Sequence, residues 1–135
     1  MVDKYEKLPG KITDTPYPDT LAEYAANVTG DTDEVCREAI LFTIENETAP
    51  PSRLNTGVRW SAILEHRILR VKEHLSVLEV NILLTKDNKE EQTLWKAKKK
   101  ISEMVCEKLA GAKGAIDKAL TFWKKYHDTE YISSH

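Results

Sequence analysis

Nowhere in this chain do about 18 apolar residues run together, so the sequence offers no segment that crosses a bilayer as a helix. Cysteine is scarce. The two present, Cys36 and Cys106, are too few for a disulfide framework, and each sits in an apolar helical stretch that reads as housing for a buried free thiol. Glycine is scarce too, and no phosphate-cradling loop is built from it: Gly111-Ala112-Lys113-Gly114 lacks the spacing and the Lys-Ser/Thr ending of a P-loop. There is no nucleophile elbow, no His-Glu-x-x-His and no Cys-x-x-Cys. The first residues, Met-Val-Asp-Lys-Tyr-Glu-Lys, hold no apolar h-region, so the expectation is no secretory signal and a reducing, cytoplasmic setting. On that reading the Asn27-Val28-Thr29 and Asn46-Glu47-Thr48 sequons are chance matches.

The chain has 135 residues, 41% hydrophobic and 31% charged, which suits one globular domain with a real core. Charge is unevenly spread. Through residue 50 there are eleven acids against four bases; the remainder has sixteen bases against eleven acids. Two such parts can pack on each other, on a neighbouring copy, or face different partners.

Pro9-Gly10, Pro16 and Pro18 block a helix, so residues 1–18 read as an extended N-terminal arm able to reach a neighbour. A short helix follows from Asp19 or Thr20, either of which can cap it, through Leu21, Tyr24, Ala25 and Val28 to a stop at Gly30. A second begins at once, with Asp31 and Glu34 spaced as a capping box and Val35, Cys36, Ala39, Ile40, Thr43 and Ile44 as its apolar stripe. Pro50-Pro51 closes it.

The third helix, about 55–86, carries Leu64, Ile68, Val71, Leu75, Leu78 and Ile82 at alternating steps of four and three. Asp87 with Glu90, or Asn88 with Glu91, makes another capping box, so the chain turns sharply into a fourth helix of about 89–127. Its expected seam is Leu94, Ala97, Ile101, Val105, Leu109, Ala112, Ile116, Ala119, Trp123 and Tyr126. Gly111 and Gly114 either kink this helix or admit a close neighbour, and an intact or kinked helix is the favoured outcome. The predicted fold is therefore all-α: a hairpin of two long antiparallel helices with two short N-terminal helices packed on it, an arm at 1–18, one helical domain at 19–127 and a tail at 128–135.

Chemistry has few places to sit. His66 and His74 stand eight residues apart, about 12 Å along one helix, too far to share a metal. They read instead as a polar stripe with Arg70 and Glu73, opposite the seam and facing solvent or an interface. Neither seam carries the paired carboxylates of helical metal-dependent hydrolases. The expectation is no enzyme, no cofactor and no metal.

Surplus hydrophobicity is what stands out. Between Val77 and Leu84 the third helix is apolar on nearly every side, and one partner helix cannot cover that. The expected interface is Leu64, Ile68, Val71, Leu75, Val77, Leu78, Val80, Ile82 and Leu84, with Trp95 and Trp123. The expected function is a non-enzymatic assembly, adaptor or inhibitor protein whose partner is itself, as a homo-oligomer, or another protein. A small phage or viral accessory protein fits this profile, which would place it in the host cytoplasm or the virion. The alternative is an oligomeric nucleic-acid-binding or loading factor using Lys96, Lys99, Lys100, Lys124 and Lys125, which interleave with aromatics on the last helix. A pI near 6.1 falls short of a dedicated binder's basic footprint.

Overall fold

A computed structural model describes residues 2–8, 20–47 and 54–133, with side chains through Tyr126. The described regular structure is entirely helical: α1 (Asp3–Glu6), α2 (Leu21–Thr29), α3 (Thr32–Glu45), α4 (Leu54–Leu84) and α5 (Lys89–Ser133). The fold is the predicted one. α4 and α5 pack closely as an antiparallel hairpin, and the shorter N-terminal helices lie on it. The 31 residues of α4 make a rod of about 46 Å, and the 45 of α5 one of about 67 Å. The readings of Pro9-Gly10, Pro16, Pro18, Asp19 and Pro50-Pro51 lie outside the described residues.

Local chemistry explains most boundaries. Thr20 caps α2 in a complete box: its hydroxyl accepts the Glu23 N–H at 3.1 Å, and the Glu23 carboxylate accepts the Thr20 N–H at 3.3 Å. Gly30 ends α2 with φ 47°, a conformation that glycine adopts without steric cost, and its N–H closes the helix onto the Ala26 carbonyl. The Asp31–Glu34 box expected for α3 does not form. Both carboxylates serve longer-range partners, Asp31 taking the Arg67 guanidinium at 2.6 and 3.3 Å and Glu34 the Lys4 ammonium at 2.9 Å. Arg67 is only 3% exposed, and a buried guanidinium demands a carboxylate more strongly than a helix end does. At the hairpin turn half of the expected box forms: Asn88 Oδ1 accepts the Glu91 N–H at 3.2 Å. The Glu91 carboxylate takes the Asn88 side-chain amide at 3.4 Å, the Asn88 N–H going to the Thr85 carbonyl. The Gln92 side-chain amide donates to the Ile82 carbonyl at 3.0 Å.

Two further expectations at the chain's ends are corrected. The first residues are not extended: residues 3–6 coil into α1, whose Tyr5 is buried, because the prolines begin only at residue 9. This segment docks on its own chain, through Arg59 to Asp3 and Glu6 and through Arg67 to the Tyr5 and Lys7 carbonyls. The last helix does not stop near His127. It continues to Ser133, and residues 128–133 contain no proline or glycine to end it.

The main core joins Val35 and Ala39 of α3, Trp60, Leu64 and Val71 of α4, and Val105, Leu109, Ile116 and Trp123 of α5. The α3 stripe is shifted from expectation: Ile40 and Ile44 are exposed, and Phe42 turns inward, edge-on to Trp123 with ring centroids 5.6 Å apart. The seam of α5 is correct from Val105 to Ile116 and again at Trp123, and out of phase before Val105 and at Ala119 and Tyr126. At its start the buried residues are Trp95, Lys98 and Ser102, while Leu94, Ala97 and Ile101 are half-buried; further on Leu120 is buried, Ala119 half-buried and Tyr126 exposed. At the start Lys98 and Ser102 occupy core positions, so the apolar pattern there pointed one residue away.

α5 runs unbroken through Gly111 and Gly114, where an added Cβ would meet nothing within 4 Å. The glycine that permits a close approach is Gly57 on α4, whose absent Cβ would lie 2.8 Å from Leu120 Cδ2 and 3.2 Å from the Trp123 ring.

Candidate functional site

Charge pairs the acidic and basic parts at several points. Asp3 and Glu6 hold Arg59, Asp31 holds Arg67, and Asp33 holds Lys108 at 2.7 Å. These are acids from the first 50 residues on bases from the rest, so part of the imbalance is met within the chain. Burial pushes the Asp117 carboxyl up, yet the Lys113 ammonium at 2.6 Å and the Ser61 hydroxyl outweigh this and hold it below its ordinary range.

The expected interface residues divide sharply. Leu64, Ile68, Val71, Leu78, Trp95 and Trp123 are buried inside the hairpin, and Leu75 is half-buried against the same core. They are spent on folding, since α5 and the short helices reach them first. Val77 and Ile82 are half-buried. Val80 and Leu84 stay in solvent, at 53% and 75% exposure, beside Leu83 at 71%. One helical face of α4 continues this apolar exposure through Leu69 and Val58. Those last three residues were absent from the expected set, because the seam pattern drew attention to the opposite face.

Between the main core and this tip lies a buried polar layer. Tyr24 of α2 places its hydroxyl 2.5 Å from His74 Nε2 on α4 and 2.8 Å from Ser102 Oγ on α5. The Lys98 ammonium lies 4.7 Å from the centre of the Tyr24 ring and 5.0 Å from that of Trp95. Tyr24, Lys98 and Ser102 have no exposed surface, and His74 only 6%. Burial pushes the Tyr24 phenol up to about 12, the Ser102 hydrogen bond opposing it. The expected stripe of His66, Arg70, Glu73 and His74 is therefore split: His74 turns inward to Tyr24, while His66 and Glu73 face solvent. The sequence signal for the layer was Lys98 and Ser102, four apart and in phase with Trp95, Val105 and Leu109.

Sealed from water, the layer positions three helices rather than presenting a reactive group to a substrate. A groove of about 380 Å³ beside α1 is lined by Glu6, Arg59, His66 and apolar residues, and there Glu6 and Arg59 already pair. Among the described residues no three His, Cys, Asp or Glu converge as metal ligands, and no helix is long and apolar enough to cross a membrane. Cys36 is buried and Cys106 half-buried, both as free thiols; burial pushes the Cys36 thiol up.

Of the cations expected to meet nucleic acid, Lys96, Lys100, Lys124 and Lys125 are exposed, and Lys99 leans 3.6 Å from Glu79. Lys100 and Lys124 are 24 positions apart on one helix, about 36 Å, so the five form two separate patches.

No protein-family model, no curated protein and no solved structure matches this chain. The reading of its function rests on the geometry above.

Proposed function

We propose that this chain is a non-catalytic assembly protein that associates with itself through the outer face and tip of its helical hairpin. The observation that carries this is the tip itself: Val80, Leu83 and Leu84 stand together at 53–75% exposure on one end of a long helix. Covering each of these side chains is worth about 1.5–3 kcal/mol, and such patches on monomers mark association sites. Two free thiols support a cytoplasmic setting. An adaptor or inhibitor that offers the same face to a different protein is the nearest variant of this reading.

Absolute mass by light scattering on a sizing column tests it, at about 150 mM salt with absorbance followed at two ultraviolet wavelengths. The expected species is a multiple of 15.4 kDa, free of nucleic acid, that Leu83→Asp with Leu84→Asp converts to a folded monomer. A clean wild-type monomer at every concentration overturns self-association. Co-eluting nucleic acid that leaves at high salt replaces this reading with the one built on Lys96, Lys99, Lys100, Lys124 and Lys125.

A further inference from the structure

α4 carries two seven-residue lines. Gly57, Leu64, Val71 and Leu78 are buried, facing α5. Ala62, Leu69, Ser76 and Leu83 run along the opposite side of the same helix, and all four are exposed. A strict seven-residue spacing keeps a line of contacts facing one partner when two helices supercoil. The inner line has its partner in α5; among the described residues the outer line packs on no other helix, Ala62 alone bordering the groove beside α1.

The flanks of the outer line carry complementary polar groups in a matched order. Glu65 and Lys72 lie along one edge, His66 and Glu73 along the other, and all four are exposed. When two such helices run parallel and in register about a two-fold axis, one copy's left edge meets the other's right edge at the same level. Lys72 then lies beside the partner's Glu73, and Glu65 beside the partner's His66. Glu65 keeps its contact with Lys113 at 3.6 Å, since a carboxylate accepts from both oxygens.

Direction follows from where the apolar surface is concentrated. A parallel pairing sets Leu69 against the partner's Leu69 and Leu83 against the partner's Leu83, with Val80 and Leu84 beside it, so the two tips cover each other. An antiparallel pairing about Leu69 keeps the Leu69 contact but brings Leu83 level with the partner's Asn55, a polar and exposed residue. The favourable opposition of helix dipoles in that arrangement is a weak, screened effect by comparison.

We infer that two copies of this chain pair α4 with α4, parallel and in register, along the line Ala62, Leu69, Ser76 and Leu83. This rests on the self-association proposed above and names its partner and geometry. The dimer is a layer of four long helices in the order α5, α4, α4, α5, with α1 flanking the α4 pair at Arg59 and α2 and α3 on α5. A two-fold contact of this kind is closed and self-complementary, so it stops at two copies.

Disulfide trapping and charge exchange test it together. Leu69→Cys and Leu83→Cys, each mildly oxidised beside the wild-type chain, should both give a covalent dimer on a non-reducing gel. Met104→Cys, exposed on α5, should not. Lys72→Glu alone should weaken the dimer by about tenfold or more in Kd, since it sets like charges side by side, and Lys72→Glu with Glu73→Lys should restore it. All these positions are exposed, so the variants keep the monomer fold, checked by circular dichroism. A dimer in which Leu83→Cys does not link and the double exchange does not restore affinity overturns the parallel tip-to-tip pairing and leaves self-association standing. A wild-type chain that is monomeric at every concentration overturns both.

Discussion

The two ends of the hairpin are similarly apolar in sequence and differently treated in space. At the open end Trp60, Leu64, Ile116 and Trp123 lie under α1, α2 and α3, and none is more than 3% exposed. At the turn end Leu78 and Trp95 are buried, but Val80, Leu83 and Leu84 are left exposed by the described residues. The Tyr24–His74–Ser102 layer, with Lys98, marks the border. Hydrophobic content does not separate the ends; cover does. Each short helix adds cover only where the chain brings it; α2 and α3 pack chiefly on α5, and α2 reaches α4 at the Tyr24–His74 layer. Apolar surface beyond that reach is left for another molecule.

Core truncation gives the largest contrast between the ends. Leu64→Ala removes a side chain with no exposed surface and should cost about 2–5 kcal/mol in urea unfolding. Leu83→Ala, at 71% exposure, should change the stability of the dilute monomer by no more than about 0.5 kcal/mol. Equal losses at the two sites would mean that the tip is covered within the monomer, and the comparison would fail.

Next in size is the clamp that brings the cover down. Arg67 spans Asp31, at the start of α3, and the carbonyls of Tyr5 and Lys7, beside α1. Arg67→Ala should cost about 1–3 kcal/mol, because it leaves both carbonyls and a carboxylate that is still 36% exposed without their donor. Hydrogen exchange should then rise in α1 and the start of α3 and stay unchanged at the turn. Uniform loss of protection would show that cover and hairpin fold as one unit.

Most of the fold was legible because it rests on periodicity and caps, which are local. The Thr20–Glu23 box, the Asn88 cap and the line from Leu64 to Leu78 needed no tertiary knowledge. Failures came where a distant partner overrode a local rule. Asp31 left its cap for a buried guanidinium 36 residues away, and Lys98 entered the core because Tyr24 and Trp95 offered it ring faces. The candidate surface was legible as a demand for cover around Val77–Leu84. Its location was not, because a seam pattern names the face a helix uses first, and that face went to α5. Leu69 and Leu83 gained meaning only once the other side of α4 was occupied.

The border layer should respond to pH. Tyr24→Phe leaves His74 Nε2 and Ser102 Oγ without the hydroxyl that joins them, and should cost about 1–3 kcal/mol near neutrality. The folded phenol titrates near 12, above its ordinary value of 10.0, so the folded state holds the proton more tightly than the unfolded chain. That contribution is fully present below pH 10 and is lost as pH rises towards 12. Wild-type stability should therefore fall across this alkaline window, and fall less steeply in Tyr24→Phe. Parallel curves for the two proteins would place the alkaline loss elsewhere.

The smallest effect separates two kinds of glycine. Gly111 and Gly114 have open space where a Cβ would go, so alanine there should add up to about 1 kcal/mol each through helix propensity alone. Gly57→Ala has the same propensity gain, but its methyl meets Leu120 Cδ2 at 2.8 Å and the Trp123 ring at 3.2 Å. Leu120 can swing aside; the indole is fixed by its N–H to the Asn46 carbonyl at 3.1 Å. The gain at Gly57 should therefore be cancelled or reversed, while the double variant at 111 and 114 melts higher than wild type. If alanine at 111 and 114 instead weakened dimerisation with stability raised, those glycines would be lining a contact on α5, and the interface would have to be moved from the outer face of α4.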